Sequence, residues 1–200
     1  MRAGTHKRGG ALAWTLLAPA LPAIGSGLDL SQGGLVPSAL GLYLVGLPVA
    51  RIASLGPDLD HGGSRAGRLA PGVSKITGAI LGGHRGGMHS FLSIGLAYVV
   101  GALIGWMLAP LTFGIYPVGV MTSTFAAAAA AGWASHLVLD QLTPMGQMLL
   151  WPVIRKRIPG GPIPCSPPAP APMRLGEFLV NCAILCALLL ALAATFGLTS

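Results

Sequence analysis

The stretch PVGVMTSTFAAAAAAGWASHLVLD, Pro117–Asp140, decides how this chain folds. It exceeds the roughly 20 apolar residues that one helical crossing of a bilayer requires. Its middle, Ala126 to Ala131 followed by Gly132, is built of small residues that let neighbouring helices approach closely. Its end carries His136 and Asp140, four residues apart and therefore on one helix face. Ionisable side chains beside an apolar span are costly and mark function.

Working outward, four more apolar segments can be drawn, over Gly10–Leu28, Leu35–Leu55, Met88–Ala109 and Gly176–Leu198. Pro19 and Pro22 interrupt the first, a break that neighbouring helices can re-satisfy. The basic start and apolar run of this segment also suit a signal peptide. The prolines and the lack of a clear cleavage site argue against one. Between the second and third segments lies Gly56–Gly87, with a short apolar piece, Val73–Leu81, read as an interfacial or re-entrant helix. Gln141–Leu175 holds nine of the 17 prolines and the run Arg155, Lys156, Arg157, the pattern of an extended loop. The expectation is an all-α, polytopic membrane protein of about five transmembrane helices, one domain over residues 1–200 with 141–175 as a Pro-rich cytoplasmic loop.

Composition agrees. Charged residues make up 8% of the chain, against about 25% in a soluble domain, and mean hydropathy is +0.73. Twelve Lys and Arg against five Asp and Glu give a net charge of +7. In a soluble protein that excess would suggest nucleic acid; here it reads as topology, and no nucleic-acid partner is expected. With five crossings all twelve basic residues fall on one side. The opposite loops, around Ser26–Gly34 and Pro110–Tyr116, carry none. The positive-inside rule then puts the N-terminus in the cytoplasm of an inner-membrane protein and the C-terminus outside. Cys182 and Cys186 read as helix packing, Cys165 stands alone, and no disulfide is implied.

The same threading gathers the chemistry. His6 precedes the first segment, and Pro57-Asp-Leu-Asp-His61 follows the second. His84-Arg-Gly-Gly-Met-His-Ser90 opens the third, and Ser135-His-Leu-Val-Leu-Asp140 closes the fourth. Every histidine, and every aspartate except Asp29, lies at the basic face. Imidazole with carboxylate is a ligand set for zinc and other hydrolytic divalent ions. The ligand pool is His6, Asp58, His61, His84, His89, His136 and Asp140, with Asp60 a catalytic residue, as a carboxylate that takes a proton from bound water, or else a ligand or an orienter of a histidine. Seven or eight donors exceed one tetrahedral shell, so one or two ions fit. Arg85 is either a stabiliser of an anionic transition state or a positive-inside anchor. Glu177 is either a further ligand or an acid at a helix start.

Together Pro57-Asp-Leu-Asp-His61, His84-Arg-Gly-Gly-Met-His-Ser90 and Ser135-His-Leu-Val-Leu-Asp-Gln-Leu-Thr-Pro-Met-Gly146 resemble the YdjM-like family of membrane-bound metal-dependent hydrolases. His6, Leu150-Trp-Pro152 and Glu177 fit the same pattern, and the likeness runs over nearly the whole chain. Met88 stands where the family pattern usually has threonine, a position that is not a required ligand. The resemblance implies a hydrolase, and the charge count puts it at the cytoplasmic membrane face. Its partner there is membrane lipid, and a phosphate ester or phospholipid is the expected substrate. The alternative is a divalent-metal transporter or a non-catalytic metal-binding membrane protein. A transporter holds its ions near the bilayer midplane, whereas these donors sit at helix ends. The charge count predicts that a reporter fused after Ser200, able to fold only outside the cytoplasm, is active. A cytoplasmic C-terminus would break the threading, because some of the motifs would change sides.

Overall fold

The computed structural model describes residues 3–21 and 37–162. Among the described residues six helices carry the fold: α1 Ala3–Leu17, α2 Pro37–Ala53, α3 Arg65–Leu69, α4 Pro71–Ile80, α5 Phe91–Leu108 and α6 Val118–Gln141. Short 3-10 turns at Ala18–Ala20, Pro57–Asp60, Gly87–His89 and Ala109–Thr112 join or extend them. No strand occurs among the described residues; an isolated antiparallel bridge pairs Gln147 with Ile158 beyond α6. The protein is all-α, as its sequence indicates. The apolar piece expected over Val73–Leu81 is α4, and the segment expected over Pro117–Asp140 is α6.

α6 is the central helix, packed by α1, α2 and α5. Small residues make this possible. On α5 the buried positions are Ser93, Ala97, Gly101 and Gly105, spaced every four residues. A Cβ on Gly101 would lie 2.6 Å from the Phe125 carbonyl oxygen, and one on Gly105 would lie 2.6 Å from that of Met121. On the other side of α6, a Cβ on Gly132 would collide with the backbone of Ala50 in α2. Gly10 of α1 meets the same Ala50 carbonyl, where a Cβ would come within 2.5 Å of the oxygen. Three backbones thus converge on Ala50. Fully buried Trp14 closes the α1–α2 contact by lying on Gly46 and donating its indole N–H to the Tyr43 carbonyl at 2.9 Å.

The rest of α5 is apolar and exposed: Phe91, Leu96, Val99, Leu103, Trp106 and Met107 are each half exposed or more. An apolar surface of this extent marks a membrane or protein contact. Phe91–Thr112, α5 with its 3-10 extension, is long and apolar enough to cross a membrane, and it is the one such segment among the described residues. α1 and α2 are shorter, at 15 and 17 residues. α6 has 24 residues, but alanine, serine and threonine hold its hydropathy down. The segment expected over Gly10–Leu28 is shifted. Its helix begins at Ala3 and ends at Leu17, because Pro19 cannot continue the α-helical hydrogen-bond ladder. His6 therefore lies inside α1 rather than in a tail ahead of it. Gly176–Leu198, Glu177, Asp29 and the three cysteines fall outside the described residues.

Gly132→Leu should separate α6 from α2 and lower the melting temperature in detergent, since overpacking a close contact costs about 1–3 kcal/mol. Gly95→Leu, at a position with no atom within 4 Å of the added Cβ, should leave the melt unchanged.

Candidate metal centre

Helix directions alternate, so one end of the bundle collects the start of α1, the end of α2, the start of α5 and the end of α6. His6 stands in the second turn of α1, and His136 and Asp140 in the last turns of α6. Asp58 and Asp60 ride on the turn after α2, and His84, Arg85 and His89 on the turns before α5. Those last turns need left-handed backbone at Gly82, Gly83 and Arg85, with φ of 82°, 75° and 65°. A non-glycine residue held there costs about 1–3 kcal/mol. The chain after α6 ties the region down. The Met148 amide donates to the Arg85 carbonyl at 3.2 Å, and the Phe91 amide to the Leu149 carbonyl at 2.9 Å.

Asp140 is the hub. Its Oδ2 lies 3.6 Å from His89 Nε2, 3.6 Å from His136 Nε2 and 3.2 Å from an Arg85 terminal nitrogen. Its Oδ1 lies 3.4 Å from His6 Nε2. His136 Nε2 is also 3.7 Å from Asp58 Oδ1. The His6 ring stacks on that of His136, with centroids 3.7 Å apart and planes inclined by 13°. The histidine orientations are fixed from behind. His136 Nδ1 is 2.7 Å from the Ser54 carbonyl oxygen, which only accepts, so Nδ1 carries the proton and a neutral ring turns the lone pair of Nε2 inward. His89 Nδ1 faces Asp60 Oδ2 at 3.4 Å, and Asp60 Oδ1 is 3.1 Å from His84 Nδ1. Burial disfavours the charge on Asp60, but the imidazoles of His84 and His89 outweigh it and hold the carboxyl below the ordinary carboxylate range. Asp60 is therefore an anion behind His89.

Nε2 of His136 and both ring nitrogens of His89 are buried without a hydrogen bond, although buried polar atoms nearly always have one. The two Nε2 atoms sit around the same carboxylate oxygen. In a tetrahedral site with bonds of roughly 2.0–2.1 Å, ligand atoms stand roughly 3.3–3.4 Å apart. The observed separations of 3.4–3.7 Å are close to that edge. Three overlapping sets can hold an ion: His6, His136 and Asp140; Asp58, His89 and His136; Asp60, His84 and His89. The donor chemistry and the orphaned nitrogens fit a divalent metal.

Two residues singled out by sequence are placed differently from the rest. His61 follows the Asp58–Asp60 turn with extended backbone, φ −117° and ψ 108°, and is exposed. Its ring meets that of His84 at 4.7 Å and joins none of the three sets. Arg85 is buried and turned onto Asp140 and the Thr143 hydroxyl, the latter at 2.8 Å. It does not face open space above the site. Sequence reasoning gave no role to Ser54, Thr143 or Gln147. Gln147, fully buried, donates to the Leu137 carbonyl near the end of α6 at 2.6 Å, tying the chain that follows the helix back onto it. Thr143 and Gln147 follow Asp140 closely, a hint of shared work. A backbone carbonyl such as that of Ser54 leaves no mark in sequence.

Comparison with known proteins agrees with the motif reading. The family described as YdjM inner membrane protein matches residues 1–198. The "uncharacterized protein YvsG" of Bacillus subtilis (strain 168) is 31% identical over 135 residues, 64% of this chain and 74% of that protein. Inner membrane protein YdjM of Escherichia coli (strain K12) is 32% identical over 109 residues, 53% of this chain and 48% of YdjM. The Shigella flexneri protein of the same name gives the same figures. The matched region spans about half the length of the YdjM proteins. No solved structure matches the chain.

The geometry predicts that His136→Ala and Asp140→Ala each lower the zinc retained by detergent-purified protein. The double variant should lose little beyond the worse single one, because partners at one ion are not additive. Asp60→Asn, which loosens His89 from behind, should weaken zinc affinity about 10–100-fold. Titration against a chromophoric chelator reads all four. Full zinc retention in the double variant would remove α6 from the site.

Proposed function

The chain belongs to the family of YdjM inner membrane proteins, and we propose that it is a metal-dependent hydrolase acting on a lipid-borne phosphate ester at the cytoplasmic face. The observation that supports this most is the meeting of two buried, unbonded imidazole nitrogens at Asp140, at one end of an apolar bundle. The five-helix threading, with the N-terminus inside, is part of the same reading.

His6, His136 and Asp140 would hold the ion, zinc foremost, with His89 Nε2 beside them at 3.6 Å from Asp140. When bound, such an ion polarises a phosphoryl oxygen and makes a water more acidic. The remaining residues divide the other work. Asp58, 19% exposed, is the site carboxylate most open to water. It takes the proton of the attacking water as the new oxygen–phosphorus bond forms. His84, 32% exposed and backed by Asp60, supplies a proton to the alcohol oxygen as its bond to phosphorus breaks. Arg85 positions Asp140 and balances its charge. A second ion among Asp60, His84 and His89 would need His89 Nδ1, the nitrogen that a neutral ring uses to face Asp60. One ion is therefore the simpler occupancy. Donors at helix ends favour hydrolysis over transport, which holds its ions near the midplane. No His-Glu-x-x-His helix is present to support a peptidase.

The test is reconstitution into vesicles of phosphatidylglycerol, cardiolipin and phosphatidic acid with added zinc, measuring released phosphate and headgroup. Turnover is expected, and it should vanish in His136→Ala. Asp58→Asn should slow it about 10²–10⁴-fold, the usual contribution of a positioned proton acceptor. Cleavage of a peptide library instead, abolished by His89→Ala, would replace the phosphoester reading and leave the metal centre standing.

A further inference from the structure

Between α2 and α5, with α6 as its floor, runs an apolar slot of about 540 Å³. That size falls within the usual range for small-molecule sites. Small residues, Ala97 and Gly101 of α5 and Ala129 of α6, line its depth, and its outer walls include Ile52, Leu96 and Val100. The wall residues are 70%, 53% and 45% exposed, so the slot opens sideways onto the same apolar surface that α5 presents to lipid. The lining has no charged side chain. Its one side-chain polar group, the Trp133 indole N–H, is already spent on Ser93 Oγ and the Met88 carbonyl. A peptide backbone or a sugar would find no partner here; a hydrocarbon chain needs none.

The ends of the slot say more. Along α5 it runs from Ile104 to Leu96, about 12 Å at 1.5 Å per residue. It then reaches Gly56, Leu59 and Trp133. Leu59 lies between Asp58 and Asp60, and Trp133 lies one helical turn before His136. Ile52 also borders a second notch, where Lys7 and Arg51 sit. The slot thus ends on residues adjoining Asp58, Asp60 and His136 in the chain, and it shares Ile52 with the notch that holds two cations.

We propose that this slot binds one hydrocarbon chain of an anionic membrane lipid, which enters sideways from the bilayer and brings its phosphate to the His/Asp centre. The inference rests on the lipid-phosphoester reading above, but binding is tested apart from turnover. The full chain is reconstituted in phosphatidylethanolamine vesicles containing phosphatidylglycerol with a diazirine in one acyl chain, then irradiated and mapped. Label should concentrate at Ile52, Leu96 and Val100 relative to Leu103 and Met107, which are exposed outside the slot. Ala53→Trp and, separately, Val100→Trp should lower the remaining slot label about tenfold while zinc content and the label at Leu103 stay unchanged. Lys7→Ala with Arg51→Ala should lower the slot label for phosphatidylglycerol and not for phosphatidylcholine carrying the same chain. His136→Ala should lower zinc binding and leave the label in place, so the slot and the centre fail independently. Equal labelling inside and outside the slot, insensitive to both tryptophans, would overturn the proposal. So would oxidation of Ile52→Cys to a disulfide with Cys182 or Cys186, which would make the chain's own 176–198 segment the occupant. A disulfide between two Ile52→Cys copies would assign the slot to a dimer contact instead.

Discussion

The approach of three backbones at Ala50 governs the rest of the structure. Gly10 from α1 and Gly132 from α6 both press on that residue of α2, at distances that no Cβ permits. In a bilayer there is little hydrophobic gain from bringing apolar helices together, so close packing of small residues supplies the association. The alanine run of α6 extends the same surface toward α5, through Phe125 and Ala129 against Gly101. Bulkier residues at these positions would spread the helix ends and pull His6, Asp58 and His89 away from Asp140.

That geometry concentrates polar groups where they are expensive. His6, Asp60, Arg85, His89, His136 and Asp140 are all buried at one end of an apolar bundle. Burying a charge without partners costs far more than burying a neutral hydrogen-bonded group. The cluster meets this by pairing: Arg85 with Asp140, and His84 and His89 with Asp60. The contacts of His6, His89 and His136 with Asp140 are longer, at 3.4–3.6 Å. Nε2 of His89 and of His136 face inward without hydrogen bonds, while their Nδ1 atoms face Asp60 and the Ser54 carbonyl.

The sequence by itself settled the all-α class, the family, the boundaries of α6 and the gathering of four distant motifs at one end. Those follow from length, hydropathy and helical period, which act locally along the chain. The i,i+4 pair of His136 and Asp140 was readable because both lie on one regular helix. The start of α1 was less readable, since its first turns are polar and basic and join the bundle through Gly9 and Gly10 against residues distant in sequence. Only the tertiary structure decided that His61 stays outside while its neighbour Asp60 goes in, and that Arg85 turns onto Asp140. It alone supplied the Ser54 carbonyl and Gln147 as supports. In irregular turns no period fixes where a side chain points; that direction is set by contacts with residues far along the chain, which composition and spacing do not encode.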